Sequence, residues 1–241
     1  MLHIGLTQTK QTQYDWPTHY QERAQQALPA PLKDFYQAGC VSANTPINHT
    51  PLLALDIETT GLNAKEDAIV SIGLIPFDLQ RIYCRQAQHW LLQPDRPLTA
   101  SSVVIHGLTH SDLASAPQAE QVLEQLLPLL SGKLVVVHYK RIEREFLAEA
   151  AKRLWQSELS FPVIDTLELE ARLHRKPLSL WQRLRGQQPL SVRLAASRAR
   201  YHLPPYQQHH ALTDALATAE LLQAQISHHF DQHTPVQALW G

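Results

Sequence analysis

The chain has 241 residues, of which 44% are hydrophobic and 18% are charged, and its formal net charge is −1. This length and composition predict one full-sized hydrophobic core with an appendage, and no apolar run is long enough to span a membrane. The two cysteines exclude a disulfide framework and a cysteine-based zinc site. No signal peptide is recognisable, so we expect a cytoplasmic protein.

Residues 1–50 are predicted to form an N-terminal helical arm and linker, with helices over 16–27 and 31–38 and a polar linker over 42–50. The main domain is predicted over 51–230, followed by a short tail over 231–241. Its strands are predicted over 52–58, 68–77, 81–92, 134–137 and 162–164, and its helices over 117–130, 140–155, 190–202 and 210–229. Three strands in a meander, followed by alternating helices and strands, predict an α/β fold: a mixed five-stranded sheet flanked by helices.

The basic residues are unevenly distributed. Residues 172–200 contain eight basic side chains and no acidic one. Such a local positive charge in a chain of net charge −1 favours a polyanionic partner. The alternative is a solvated loop and helix face. Trp181, inside this stretch, is either a stacking platform for nucleic-acid bases or a core residue.

A pair of carboxylates ends the first strand. Asp56 and Glu58 project from the same face because side chains alternate along a strand, and the small Ala54 on that face leaves room for a bound group. Two adjacent carboxylates repel unless a cation or proton intervenes, and oxygen ligands of this kind favour Mg²⁺ or Mn²⁺. The alternative is two solvated acids at a strand end.

A histidine and an aspartate open the final helix. His209 and Asp214 are five residues apart, so they converge only if His209 lies in the loop before the helix. The prolines at 204 and 205 favour that non-helical approach. A loop histidine suits the activation of water, although a surface histidine without a catalytic role is the commoner case. Neither adjacent pair, His209-His210 or His228-His229, has the i, i+4 spacing of a zinc helix, so no zinc is expected.

A third acidic position lies in the helix over 140–155. Glu143 lies beside the inward apolar stripe formed by Ile142 and Phe146, and Glu145 falls on the other side. Glu143 is therefore the better placed to approach the end of the sheet. The alternative is an exposed, salt-bridged helix.

Together and in this order, these segments resemble the DEDDh-type 3′–5′ exonucleases, the DnaQ-like (DNA polymerase III epsilon-subunit-like) branch of the RNase H-like fold. Residues 56–62 are similar to the first motif, Asp-x-Glu-Thr-Thr-Gly, and residues 138–147 to the second. Residues 209–214 are similar to the third, His-x-Ala-x-x-Asp. The resemblance spans about residues 52–228. With its N-terminal arm, the chain resembles a bacterial subgroup of that family.

The resemblance implies a two-metal hydrolysis of phosphodiesters at the 3′ end of single-stranded nucleic acid, with DNA favoured and nucleoside 5′-monophosphates released. Two divalent ions, Mg²⁺ or Mn²⁺, would be held by Asp56, Glu58, Asp214 and Glu143, with His209 as the base. The implied substrate contacts are Ile57, Thr59, Thr60, Leu62 and His138.

The second motif departs from the family pattern. Glu143 stands where the family has aspartate, and Tyr139 stands where it has asparagine. A weak enzyme, or an inactive module that binds nucleic acid or a nucleotide, is therefore one alternative. A nuclease of short oligonucleotides, or an RNA-trimming nuclease, is another. A polymerase-bound proofreading subunit is less favoured than a stand-alone enzyme, and the arm is a candidate surface for another protein partner.

Overall fold

Five strands form one mixed sheet in the computed structural model, which describes residues 14–96, 107–175, 181, 185, 188–207 and 209–241. The strands are β1 (Leu52–Thr59), β2 (Ile69–Phe77), β3 (Gln88–Leu91), β4 (Leu134–Val137) and β5 (Val163–Asp165). Their order across the sheet is β3-β2-β1-β4-β5. The first three are antiparallel neighbours, whereas β4 and β5 run parallel to β1. The predicted α/β fold with a mixed five-stranded sheet is confirmed.

The helices cover the sheet. They are α1 (Trp16–Ala24), α2 (Ala30–Gln37), α3 (His110–Leu113), α4 (Ala119–Leu130), α5 (Lys140–Trp155), α6 (Thr166–His174), α7 (Leu194–Arg200) and α8 (Ala211–His229). The longest, α8, packs across β1 and β2, and α5 packs against β1 and β5. In the described part of the chain, no helix is both long enough and apolar enough to cross a membrane.

Three elements differ most from their predictions: the third strand is shorter than predicted, and helices α3 and α6 were not predicted. The third strand was predicted over 81–92, but residues 84–86 form a 3-10 turn and the strand spans only Gln88–Leu91. Asp78 is the cause, because its carboxylate accepts hydrogen bonds from Gln80 N, Arg81 N and the Tyr83 hydroxyl and folds residues 78–83 into a turn. Helix α6 was not predicted. It begins directly after β5, where Asp165 caps it by accepting a hydrogen bond from Leu167 N at 2.9 Å.

The N-terminal helices pack on the main core. Trp16, Tyr20, Phe35 and Tyr36 are buried in the same hydrophobic cluster as the sheet residues. Farther along, Ile47 N donates to the Thr234 carbonyl at 2.9 Å, the first of several bonds that join residues 43–48 to residues 232–237. The polar linker and the tail therefore run side by side. The domain boundaries at 50 and 230 stay predictions.

Candidate active site

Strand β1 carries the first two candidate ligands. Asp56 pairs across the sheet with Gly73, and Glu58 pairs with Ser71, so both carboxylates share one face of the β1–β2 pair. The register shifts directly after Glu58, where a bulge bends the end of the strand. Both residues are half-buried.

Gly73 allows the last helix to reach this face. A Cβ atom at position 73 would lie 2.3 Å from the backbone carbon of Ala211 and 2.3 Å from Leu212 N. Only a glycine leaves room for the first turn of α8 beside Asp56. We did not single out Gly73 from the sequence, although a lone glycine between Ile72 and Leu74 in a buried strand is a signal of close backbone approach.

His209 and Asp214 converge at this N-terminus. His209 precedes the helix in a left-handed conformation with φ +66°, as its predicted loop position requires. Its backbone N–H donates to Asp214 Oδ2 at 2.8 Å and thereby fixes the spacing of the two residues. Ligand atoms of Glu58, His209 and Asp214 lie within 4.8 Å of one another, close enough to share one metal ion. The His209 ring is exposed and open to a water molecule.

Glu143 enters from the first turn of α5. Its side chain is only 2% exposed, and its Oε2 atom has no hydrogen-bond partner among the described residues. Glu145 turns outward and pairs with Arg141 at 2.9 Å, as the helical periodicity predicted. A buried carboxylate oxygen without a donor is costly, and a cation would compensate for it.

Electrostatic repulsion couples the four carboxylates. Burial, followed by the charges of Glu143, Asp214 and Glu58, raises the pKa of Asp56 well above its usual value. Burial and Asp214 raise the pKa of Glu58 to about 7. Burial also raises the pKa values of Asp214 and Glu143. This set of oxygen donors fits divalent metal ions, which would relieve the repulsion.

The predicted substrate contacts occupy different positions. Leu62 is 79% exposed on the loop after β1, and Thr59 is half-buried at the end of that strand. Ile57 is buried, and Thr60 is buried in the loop, where its hydroxyl contacts Asp67 Oδ1 at 3.2 Å. Among these four, Leu62 offers the most surface to a ligand.

His138 has both ring nitrogens engaged within the chain. Nδ1 contacts Thr166 Oγ1 at 2.8 Å, and Nε2 lies 3.1 Å from the Val192 carbonyl. Burial lowers the pKa of His138 to about 4. Any contribution of His138 to substrate binding would come through the segment around Val192 that it holds.

Part of the basic stretch has internal partners. Arg198 is buried and pairs with Glu220 at 2.7 Å, and Arg200 pairs with Glu170 at 2.6 Å. Trp181 is 74% exposed, so it is not a core residue. Lys176 and Arg183 lie outside the described residues. The exposed arginines that remain to attract a polyanion are Arg172, Arg175, Arg185 and Arg193.

Two histidines beside the site were not predicted to belong to it. His89 lies opposite Gly73 in β3 and contacts Ser71 Oγ at 2.8 Å. Its ring packs 4.8 Å from the ring of His210, the residue that caps α8. The alternation of β3 and its register with β2 point His89 to the carboxylate face; the strand predicted over 81–92 includes His89, but the register is not written in its sequence.

A protein-family model described as an exonuclease matches residues 53–222, which include all three motifs. The chain belongs to this exonuclease family. The match confirms the sequence-based recognition of an exonuclease and of the RNase H-like fold. It does not test the roles of individual residues, which stay predictions.

Similar proteins include polymerase components. The chain is 28% identical over 185 residues to the DNA polymerase III subunit epsilon of Treponema pallidum, covering 77% of this chain and 80% of that protein. It is 28% identical over 181 residues to the PolC-type DNA polymerase III of Thermotoga petrophila, covering 75% of this chain but only 12% of that protein. Against the solved structure of Exonuclease X in complex with 5′ overhanging duplex DNA, the TM-score is 0.57 at 23% identity, covering 76% and 96% of the two chains.

Proposed function

We propose that this chain is a metal-dependent 3′–5′ exonuclease that removes nucleoside 5′-monophosphates from the 3′ end of single-stranded nucleic acid, with DNA favoured. One observation carries the proposal. Four acidic side chains lie close enough to repel one another, and the salt bridges of the described residues include none to any of them. Their charge therefore needs a cation from solution.

The residues divide the chemistry between them. Asp56, Glu58, Asp214 and Glu143 would hold two divalent ions, Mg²⁺ or Mn²⁺. Such ions, when bound, stabilise the attacking and leaving oxygens of an in-line displacement. The His209 ring would take the proton from the attacking water, because it is exposed beside Glu58 and Asp214. Exposed Leu62 would contact the terminal nucleotide.

The preference for DNA rests on the relatives, which are named DNA polymerase III components, and on Exonuclease X, whose solved structure contains DNA. Those names also raise a polymerase as a partner. A stand-alone enzyme stays our proposal, and residues 232–237, which are hydrogen-bonded to residues 43–48, do not themselves form a flexible tether. A cytoplasmic location stays a prediction.

The first experiment uses single-stranded DNA and RNA of one sequence, labelled at the 5′ end, with Mg²⁺, Mn²⁺ or EDTA. We expect a ladder that shortens from the 3′ end with either ion and is absent in EDTA and in Asp56→Ala. A stronger ladder on RNA would reassign the substrate. No cleavage of polymers or dinucleotides by the wild-type chain, with nucleic-acid binding retained, would replace the enzyme by a binding module.

A further inference from the structure

A side chain from β5 holds the turn between β4 and α5 in place. Asp165, the last residue of β5, is buried, and its carboxylate accepts hydrogen bonds from three backbone N–H groups. Tyr139 N donates to Oδ1 at 2.9 Å and Lys140 N donates to Oδ2 at 3.0 Å, while the third donor is Leu167 N in α6. One side chain thus fastens the start of α5 to the start of α6.

The fastened turn has a strained backbone. Tyr139 has φ +88°, a left-handed conformation that costs a residue with a side chain about 1–3 kcal/mol. No side chain of its own segment caps α5. The Lys140 N–H, one of the first-turn donors that have no partner within the helix, is bound by Asp165. The direction in which α5 starts therefore depends on Asp165.

Glu143 follows three residues after Lys140 and is buried on the same first turn. Among the described residues its Oε2 atom has no hydrogen-bond partner, so the path of the helix backbone has a large part in setting the position of the carboxylate. Glutamate has one methylene more than aspartate, so its carboxylate lies farther from the helix backbone. The starting point of the helix must suit that longer side chain.

We propose that Asp165 is a positioning residue that sets the Glu143 carboxylate for a divalent metal ion by fixing the Tyr139–Lys140 turn. This inference rests on the proposed function. The same end of β5 adds a second fastening, because the Thr166 hydroxyl donates to the Val137 carbonyl at 3.0 Å. Asp165 and Thr166 together join β5 to the end of β4.

Asp165→Asn tests the proposal. The amide keeps an acceptor oxygen for Tyr139 N and Leu167 N but places an NH₂ group against Lys140 N, so the first turn of α5 loses its acceptor. Mn²⁺ binding is measured by electron paramagnetic resonance, without substrate. We expect two ions per wild-type chain, and a weaker ion in the variant whose dissociation constant rises about 10-fold, the low end for residues that orient metal ligands.

Two controls separate positioning from general damage. Asp15→Asn makes the same substitution at another helix cap, since Asp15 accepts from Thr18 N at 3.1 Å in the arm, and it should leave both Mn²⁺ affinities unchanged. Glu143→Gln should weaken the same ion as Asp165→Asn. The double variant should then be no weaker than Glu143→Gln alone, because the effect of Asp165 passes through Glu143.

Additive losses in the double variant, or unchanged Mn²⁺ binding in a folded Asp165→Asn chain, would overturn the proposal. Failure of the proposed function looks different: the wild-type chain itself would then bind fewer than two ions and would form no ladder. Thermal unfolding of each variant in EDTA shows which samples are folded at the temperature of the binding measurement.

Discussion

Two buried acidic centres in this molecule are built in opposite ways. In the first, Glu170 of α6 is fully buried and meets Arg200 at 2.6 Å, Gln225 Nε2 at 2.7 Å and the Tyr201 hydroxyl at 3.1 Å. In the second, Asp56, Glu58, Glu143 and Asp214 face one another, and the described residues contribute no Lys or Arg partner. Groups of the protein itself thus compensate the charge of Glu170, whereas no Lys or Arg among the described residues compensates the other four carboxylates.

The difference separates a structural acid from a functional one. A buried charge is tolerated when it is paired and hydrogen-bonded, as Glu170 is. In a cluster of unpaired carboxylates, mutual repulsion raises the pKa values, as at Asp56. Such clusters are typical of functional sites. Each prediction below perturbs one centre and uses the other as its reference.

The largest expected effect is on the reaction. Asp56→Asn should lower the rate of 3′ shortening by about 10³-fold, because it removes a charge on which metal binding depends. The same change should not lower the free energy of unfolding in EDTA, since it relieves repulsion. Initial rates at saturating Mg²⁺ and urea unfolding in EDTA give the two quantities. A loss of stability of this variant in EDTA would contradict the claim that the carboxylates repel one another without metal.

Glu170→Ala should have the reverse profile. Its removal strands Arg200 and the Gln225 amide, so the free energy of unfolding should fall by about 3–5 kcal/mol in urea titrations, with or without metal. Glu145→Ala is the matched control: Glu145 pairs with Arg141 on the surface, and its loss should cost less than about 1 kcal/mol. Equal losses of stability in the two variants would mean that the buried carboxylate of Glu170 contributes no more than the surface carboxylate of Glu145.

The ionisation of the unpaired carboxylates should make the stability of the protein depend on pH. Glu58 has a folded-state pKa of about 7, above its ordinary value of 4.5. Its contribution to stability is therefore fully present below pH 4.5 and is lost as the pH rises through 7. Bound Mg²⁺ offsets that loss, so the rise in Tm on adding Mg²⁺ should be larger at pH 8 than at pH 6.

Comparing samples with and without Mg²⁺ at each pH cancels the titration of groups away from the site, such as His138, whose low pKa acts in the opposite direction. The expected difference in stabilisation between the two pH values is on the order of 1–3 kcal/mol. A gain from Mg²⁺ that is the same at both values would mean that Glu58 is already ionised at pH 6.

The smallest effect is expected from Glu143→Asp, which restores the acid that the family uses. The charge is unchanged and the carboxylate retreats by one methylene, so the rate should change by less than about tenfold. The ratio of the rate in Mg²⁺ to the rate in Mn²⁺ should rise, because Mg²⁺ is the stricter of the two in geometry. Rates in each metal at a single pH measure both. A total loss would show that the start of α5 is adapted to glutamate.

Features that depend on neighbouring residues, or on the order of the family's motifs, could be predicted from the sequence. Alternation placed Asp56 and Glu58 on one face, and helical spacing separated Glu143 from Glu145, as the structure shows. The contact of Gly73 with Ala211 and the capture of Tyr139 N by Asp165 join residues far apart in the chain. No local pattern encodes such pairs. The internal partners of Arg198 and Arg200 were missed for the same reason, since charge counting does not show where a guanidinium points.

The pairing of residues 43–48 with residues 232–237 has a consequence for synthesis of the protein. Asn44 and Gln237 are hydrogen-bonded although they are 193 positions apart. At ordinary translation speeds, the first partner waits roughly 10–40 s for the second to be made. During that interval Trp16, Phe35 and the other apolar residues of the arm lack part of their final cover. The nascent chain is therefore expected to need a chaperone more than the finished protein does.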